Sequence, residues 1–411
     1  MKNSVVVENF LRYVQIDTQS LEEYSGQVPS TAKQRDLAVM LKKELEDMGA
    51  SEVRYDEEHC YIYATIPSNL EHEVPSIGFI AHMDTSEAVS GKDVKPRIIE
   101  DYDGEDIVLN EELNIVTRVS EFPVLKECKH KSLIVTDGTT LLGGDDKAGV
   151  AEIMAMAKYF LEHPEVKHGK ICIGFTPDEE VGNGVEYFDL KGFGADYAYT
   201  VDGGELGDLS YECFHAAAAR VTIHGKSVHP GYAKNIMKNA LKLGMEFHEL
   251  LPEKECPECT EGYEGFYHLT DMKGSCEEAI LDYIIRDHDR TIFEKRKKVV
   301  CDAVERMNKT YGENVAEVVI KDNYQNMREM IEPHIQIVEH VTEAMKALGV
   351  TPKISPIRGG TDGARLSFEG LLCPNLCTGS EGHHGRNEFA CIDDMEKIVE
   401  ILIEIIKRYA K

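Results

Sequence analysis

The sequence predicts an α/β protein built around a helix-flanked sheet, with a ferredoxin-like α+β domain inserted into it. Three observations predict this. Between residues 76 and 204, apolar strand-like runs end in acidic or histidine tips and alternate with a helix. From 218 to 324 the order of elements reads β-α-β-β-α-β. After residue 327 helices and short strands resume, with a second Gly- and His-rich loop able to return to the early tips. The catalytic domain is therefore expected to be discontinuous, 1–209 with 327–411, and the insertion to span 210–326.

The elements follow in order. The first twenty residues pattern as an amphipathic helix. Ser30 or Thr31 is placed to cap a helix over Ala32–Met48, with Gly49 as its left-handed terminator. VRYDEEHCYIYATI reads as a hairpin, and SIGFIAHMD as a buried strand ending at His82 and Asp84. Residues 86–132 are acidic and irregular. SLIVTD is a strand, LLGGDDKAG a turn, and VAEIMAMAKYFLEHP a helix whose Met154 and Met156 are ordinary helix residues. KICIGFTPDEE and ADYAYTVDGG are strands with acidic ends. In the insertion, AARVTIHG, GFYHLTDMKG, EAILDYIIRD and AEVVIKDNY are strands, and Asn235–Leu250 and Arg290–Tyr311 helices. A helix from about Pro333 to Leu348, a strand PKISPI, the loop RGGTDGA, a strand near GLLCPNL, the loop TGSEGHHGRNEF and a helix over Asp393–Tyr409 close the chain.

Composition narrows the function. The net charge is -29, from 74 acidic and 45 basic side chains, which repels nucleic acid and anionic membranes. No run approaches the ~20 apolar residues of a membrane span, and no signal peptide is legible, so the expected compartment is the cytoplasm. The 11 cysteines are scattered and expected to be reduced. Cys256 and Cys259 form one C-x-x-C, with Cys276 further on. A structural zinc site wants four ligands and no second pair lies nearby, so the pair is read as a loop without a role.

The tips carry the chemistry. They are His82 with Asp84, Asp145 with Asp146, Glu179 with Glu180, and Asp202. Taken singly, each is an ordinary cap or loop residue, and Asp146 suits the start of the helix after it. Converging on neighbouring strands, their charges would repel strongly unless a cation offset them, and a pair of divalent metals is the simplest answer. Asp145, at the turn before the helix, is the expected bridging carboxylate. On an extended strand Asp84 faces the same side as His82 and could hold its ring from behind. Of Glu179 and Glu180, one can bind metal while the other stays free as general base.

AHMDT, LLGGDDKAG, PDEEVGNG, VDGG, SVHPG, IRGGTDGA and HHGRNEF resemble, in this order and spacing, the M20 family of metallopeptidases. The likeness covers essentially the whole chain, and TEGYEGFYHL and AILDYIIRDHD point to its tripeptide aminopeptidase branch. The resemblance implies a zinc-peptidase-like domain with a mixed central sheet and helices on both faces, and the inserted domain is expected to close over the site as a lid, with hinges near 208–212 and 324–328. The resemblance also implies two zinc ions, with cobalt or manganese able to substitute, held by His82, Asp145, Glu180, Asp202 and His384. Asp145 bridges, Asp84 orients His82, and Glu179 is the base. His384, directly before Gly-Arg, is the ligand and His383 a bystander. His229, Arg286 and Arg358 match substrate-contacting positions, and the Asp145–Asp146 peptide is expected to be cis. The chain has GGDD where relatives commonly carry Ala before the aspartate. Expected partners are short peptides, with a homodimer admitted, and neither nucleic acid nor membrane. Other members of the family, dipeptidases and N-acyl amino acid deacylases, would show the same metal centre.

Overall fold

A computed structural model describes Ser4–Lys411, and these residues divide into two compact units. The first holds residues up to Tyr211, with Glu329–Ser355 and Thr361–Lys411. At its centre lies an eight-stranded mixed sheet. In spatial order its strands are Ser51–Asp56, Tyr61–Ile66, Ile171–Thr176, Ile77–His82, Tyr197–Gly203, Asn375–Cys377, Asp208–Ser210 and Lys353–Ile354. The run from Ile171–Thr176 to Asn375–Cys377 is parallel throughout. Ile77–His82 and Ile171–Thr176 are buried at every position, as parallel strands covered on both faces must be.

Alternation along the strands assigns the two faces. Ile80 joins Tyr61, Phe188, Phe193 and Leu366 in one apolar cluster, beneath the helices Leu190–Phe193 and Asp362–Phe368. Phe79, one residue earlier, stacks on Tyr199 at 5.9 Å on the other side. The Tyr199 hydroxyl donates to the carbonyl of Ile337, in the helix Gln336–Ala347, at 2.8 Å. It also meets the hydroxyl of Tyr409, at the end of the helix Ile392–Tyr409, at 2.9 Å. The helix Gly144–Glu162 packs against Ile77–His82 and Tyr197–Gly203. Helices thus cover both faces.

Several local expectations change. Gly49 does end its helix, at φ +89°, but the helix begins at Gln34 without a side-chain cap. Ser30 is drawn away, its hydroxyl donating to Asp178, and Thr31 donates to the carbonyl of Gln19. The strand Leu133–Val135 leaves the central sheet. It lies between Phe389–Cys391 and Arg97–Ile99 in a small four-stranded sheet completed by Ser380–Glu381. The HHGRN segment is therefore the tip of a hairpin, not an open loop. Pro333 sits in a separate turn, Glu332–His334, and the following helix starts at Gln336.

The second unit spans Glu212–Arg328 with Pro356–Gly360. Its antiparallel sheet has the order Phe266–Gly274, Glu278–Asp287, His215–His224, Ala316–Tyr324. The helices Ala240–Glu249 and Arg290–Tyr311 bury Leu243, Phe247, Phe293, Val300 and Met307 in a shared core with Val221, Leu281 and Ile285. This is the ferredoxin-like arrangement. The first helix starts at Ala240, not Asn235, because Asn239 caps it by accepting from the Lys242 amide at 3.3 Å. Pro356–Gly360, placed in the first domain on sequence, belongs to this unit: Ile357 pairs with Cys213, and Arg358 is anchored in the 260–264 loop. PKISPI accordingly keeps only Lys353–Ile354 as strand.

Candidate metal centre

Acidic and imidazole side chains gather beyond the carboxyl ends of the parallel strands, where open α/β sheets place their chemistry. His82 closes its strand and is buried. Its Nε2 lies 2.8 Å from Asp145 Oδ1 and 3.6 Å from Asp202 Oδ1. On the other side, His384 Nε2 lies 3.1 Å from Asp145 Oδ2 and 2.8 Å from Glu180 Oε2. The Asp145 carboxylate therefore stands between two half-sites, one oxygen toward each imidazole. Ligand atoms of His82, Asp145 and Glu180 fall within 4.8 Å of one another, as do those of His82, Asp146 and Asp202. His383 Nε2 lies 2.9 Å from Ser380 Oγ, and its Nδ1 stands 3.7 Å from Asp145 Oδ2, farther than either ring nitrogen of His82 or His384 that meets that carboxylate.

The supports of this cluster explain its shape. The assigned strand stops at His82, and Asp84, two residues on, still faces the ring. His82 Nδ1 lies 3.1 Å from the Asp84 carbonyl and 3.3 Å from its Oδ1. The same Asp84 carboxylate accepts the amides of Glu179 and Glu180, at 3.1 and 3.3 Å. These glutamates sit in the single turn Glu179–Val181, not on a strand, and diverge from it. Glu180 reaches His384 and leaves its buried Oε1 unpaired, while the Glu179 carboxylate has no hydrogen-bond partner among the described residues. Asp178, before the turn, adopts φ +52° and is fastened by Ser30 and Gln34. Aspartate is one of the few side chains that tolerates that conformation.

Asp146 takes the place at the helix start that the sequence suggests, whereas Glu388 and Asp362 were not picked out from the sequence. Asp146 does cap its helix, accepting from the Gly149 amide at 3.2 Å, but its other oxygen takes the His82 amide at 3.2 Å. The Asp145–Asp146 peptide is cis. Glu388, in HHGRNEF, is buried and accepts the amides of Leu142, Gly143 and Asp145 at 2.7, 2.7 and 3.1 Å, fixing the Gly-Gly turn that presents Asp145. Asp362, in RGGTDGA, is buried and accepts from the Thr176 hydroxyl at 3.0 Å. An acid inside a glycine-rich motif was the available signal for both.

The electrostatics show how strongly so many carboxylates perturb one another. Burial, aided by Asp202, holds Glu179 and Asp146 well above the usual carboxylate range. Burial lifts Glu180 and Asp362 to about 7. Loss of solvent would raise the half-buried Asp145 too, but His384 and His82 overturn that and hold it well below its ordinary value. Asp145 and Glu180 in turn push His384 up to about 11. Imidazolium charge is what offsets the acids here, and divalent cations bound by the same atoms would do so with fewer groups. The donor set, imidazole nitrogen with carboxylate oxygen, fits zinc.

In the second unit, His229 Nδ1 accepts from the Gly231 amide at 3.1 Å, which leaves Nε2–H as its donor. Arg286 donates to the Arg358 carbonyl at 3.1 Å, lies 5.9 Å from the rings of Phe266 and Tyr324, and keeps a buried Nε without a partner. Arg358 is differently employed. Its guanidinium donates to the carbonyls of Gly262, Glu264 and Thr260 and to Thr260 Oγ1, at 2.7, 2.9, 3.3 and 3.0 Å.

Comparison with known proteins identifies the family. Residues 135–408 match the model of Peptidase family M20/M25/M40. The chain is 54% identical over 408 residues to peptidase T of Caldanaerobacter subterraneus subsp. tengcongensis, covering 99% of both chains. It is 52% identical over 413 residues to peptidase T of Alkaliphilus oremlandii, covering 100% of both. Among solved structures, aminopeptidase PepT from Bacillus cereus superposes with a TM-score of 0.78 at 23% identity, over 99% of this chain and 98% of that one. A dinuclear metal-binding M20 peptidase from Bacillus subtilis superposes with a TM-score of 0.65 at 12% identity, over 98% of this chain and 97% of that one.

Proposed function

This chain belongs to peptidase family M20/M25/M40, and from that premise we propose that it is a two-zinc aminopeptidase releasing the N-terminal residue of tripeptides. The observation that carries the proposal is the Asp145 carboxylate standing between His82 and His384. One ion would be held by His82, Asp202 and Asp145, the other by His384, Glu180 and Asp145, with Asp84 orienting the His82 ring. Cobalt or manganese would satisfy the same donors. When bound, such a pair polarises the scissile carbonyl and acidifies the attacking water. Glu179, unpaired and half-buried, takes the proton of that water and passes it to the leaving amine. His229 Nε2–H serves the developing oxyanion. Arg286 takes the peptide's C-terminal carboxylate, and Arg358 shapes the wall beside it. The full-length likeness to peptidase T supports tripeptides as the substrate. We assign the cytoplasm as its compartment; no helix among the described residues is long and apolar enough to cross a membrane.

Metal analysis of the purified protein beside a panel of tripeptides, dipeptides and N-acyl amino acids tests this reading. Tripeptides should lose their first residue fastest. Amidating the tripeptide's C-terminus removes one charge-assisted hydrogen bond, worth about 1.5–3 kcal/mol, so kcat/KM should fall roughly 10–100-fold. Equal rates for acid and amide would remove Arg286 from substrate recognition, and faster deacylation than tripeptide cleavage would reassign the enzyme within its family.

Metal uptake should also release protons. In the metal-free protein Asp145 and Glu180 raise His384 to about 11, so its imidazole is charged at neutral pH. A cation needs the lone pair which that proton occupies. Binding must therefore expel at least one proton near pH 7, and affinity must weaken as pH falls. Titration calorimetry in buffers of different ionisation enthalpy counts the protons; a zero count would contradict the assignment of His384 as a ligand.

A further inference from the structure

The C-x-x-C of the second unit has a structure that its sequence did not suggest. Pro257–Cys259 forms a single tight turn, closed by the Cys259 amide donating to the Cys256 carbonyl at 3.0 Å. The Cys256 thiol meets the Cys259 thiol and the Glu258 carboxylate. Of the 11 cysteines, seven are buried, and only Cys256, Cys259, Cys276 and Cys301 reach solvent. Cys128 and Cys391 also touch, but both are buried, and the sulfur of Cys391 accepts the Asp394 amide at the start of the last helix. The outer pair is thus the thiol pair that reagents reach first.

We propose that Cys256 and Cys259 are a reversible dithiol–disulfide couple, oxidised by low-molecular-weight disulfides, at the root of the loop that holds Arg358. Cys259, the more exposed, attacks as thiolate. Its sulfur bonds to one sulfur of the reagent, the reagent's S–S bond breaks, and one small thiol leaves. Cys256 then attacks the Cys259 sulfur, the mixed disulfide breaks, and the second small thiol leaves. The protein loses two electrons and two protons, and the reagent gains them. A groove of about 490 Å³ beside Cys256, lined also by His248, Glu258 and His268, accommodates the group carried on the mixed disulfide.

The couple is joined to Arg358 by a short path. The Thr260 hydroxyl donates to the Cys256 carbonyl at 3.0 Å, and the same hydroxyl oxygen accepts from Arg358 at 3.0 Å. The carbonyls of Thr260, Gly262 and Glu264 supply the other acceptors of that guanidinium. Closing a disulfide re-sets the turn from which these acceptors hang, and Arg286 donates to the Arg358 carbonyl.

Native enzyme treated with hydroxyethyl disulfide, alkylated and mapped by mass should show a peptide linking Cys256 to Cys259 with the loss of two hydrogens. It should form before the adducts at Cys276 and Cys301 and be reversed by dithiothreitol. Cys256→Ser should trap the reagent as a stable adduct on Cys259. Two separate adducts on Cys256 and Cys259, or free thiols there while Cys301 is modified, overturn the couple. This readout needs no substrate, so it is independent of the proposed activity. A second arm rests on that activity: oxidation should shift KM for tripeptides severalfold at constant kcat, with no shift in Cys256→Ser or Cys259→Ser. A disulfide that forms and leaves KM unmoved overturns the link to Arg358.

Discussion

Replacing Asp145 by asparagine is expected to cost both ions and nearly all turnover while leaving the chain folded. The side chain keeps its volume, and Glu388 still holds the backbone of the turn through the amides of Leu142, Gly143 and Asp145. What goes is the one carboxylate with an oxygen toward each imidazole. An amide is a poor ligand and brings no charge, so each half-site loses an anionic donor, and the two cations lose the screen between them. A catalytic ion supplies several kcal/mol of transition-state stabilisation. With both weakened, activity should fall roughly 10⁴-fold or more. Metal content after dialysis, measured beside circular dichroism, separates this from misfolding. A folded Asp145→Asn protein that keeps two ions and its activity would falsify the bridging assignment.

The metal-free stability of the same variant carries a sign that can be worked out. Asp145 lies well below its ordinary value because His384 and His82 outweigh its burial. A carboxylate depressed in the folded state contributes stability above its unfolded value, and that contribution is lost as pH falls toward the folded one. Metal-free wild type should therefore lose part of its margin over Asp145→Asn under acid conditions. Holoenzyme gains much more from its ions, because their binding is itself folding free energy.

How much of this centre was legible depended on whether a residue speaks through its own strand or through a distant partner. His82 and Asp202 sit at or beside the ends of apolar strands, and such tips announce themselves by composition. Asp84 could be tied to His82 by closeness in sequence, and it meets that ring at 3.3 Å although the assigned strand ends at His82. Ser30 illustrates the limit. Followed by a helical pattern, it reads as a cap, yet its hydroxyl serves Asp178, 148 positions away. Glu388 is legible only once the hairpin tip carrying it is known to meet the Gly-Gly turn. Arg358 shows the same limit in the second unit: Gly-Gly beside an arginine suggested ligand approach, and nothing in the sequence showed that the guanidinium also has four protein acceptors. Periodicity reports what a segment buries, and long-range polar pairing decides which side chains remain free to act.

Glu179 is the residue left free, and its removal is the second large effect. Glu179→Gln should retain two ions, bind tripeptides with unchanged KM, and lose about 10²–10⁴ in kcat, the range of a positioned proton-transfer group. The ions stay because the neighbouring Glu180, not Glu179, meets His384. The backbone stays because the amides of both glutamates remain on Asp84. In the metal-free protein, burial and Asp202 hold the Glu179 carboxyl well above its ordinary value. Nearby cations favour the charged form, which brings the group back toward the range where it can accept a proton from water and later return it. The acid limb of the wild-type kcat profile should reflect that carboxyl and should be absent from Glu179→Gln. Glu179→Asp, one methylene shorter, should recover only part of the loss, because reach as well as basicity sets the rate of proton transfer. A merely structural glutamate would change metal content or KM before kcat, so the split between these quantities decides its role.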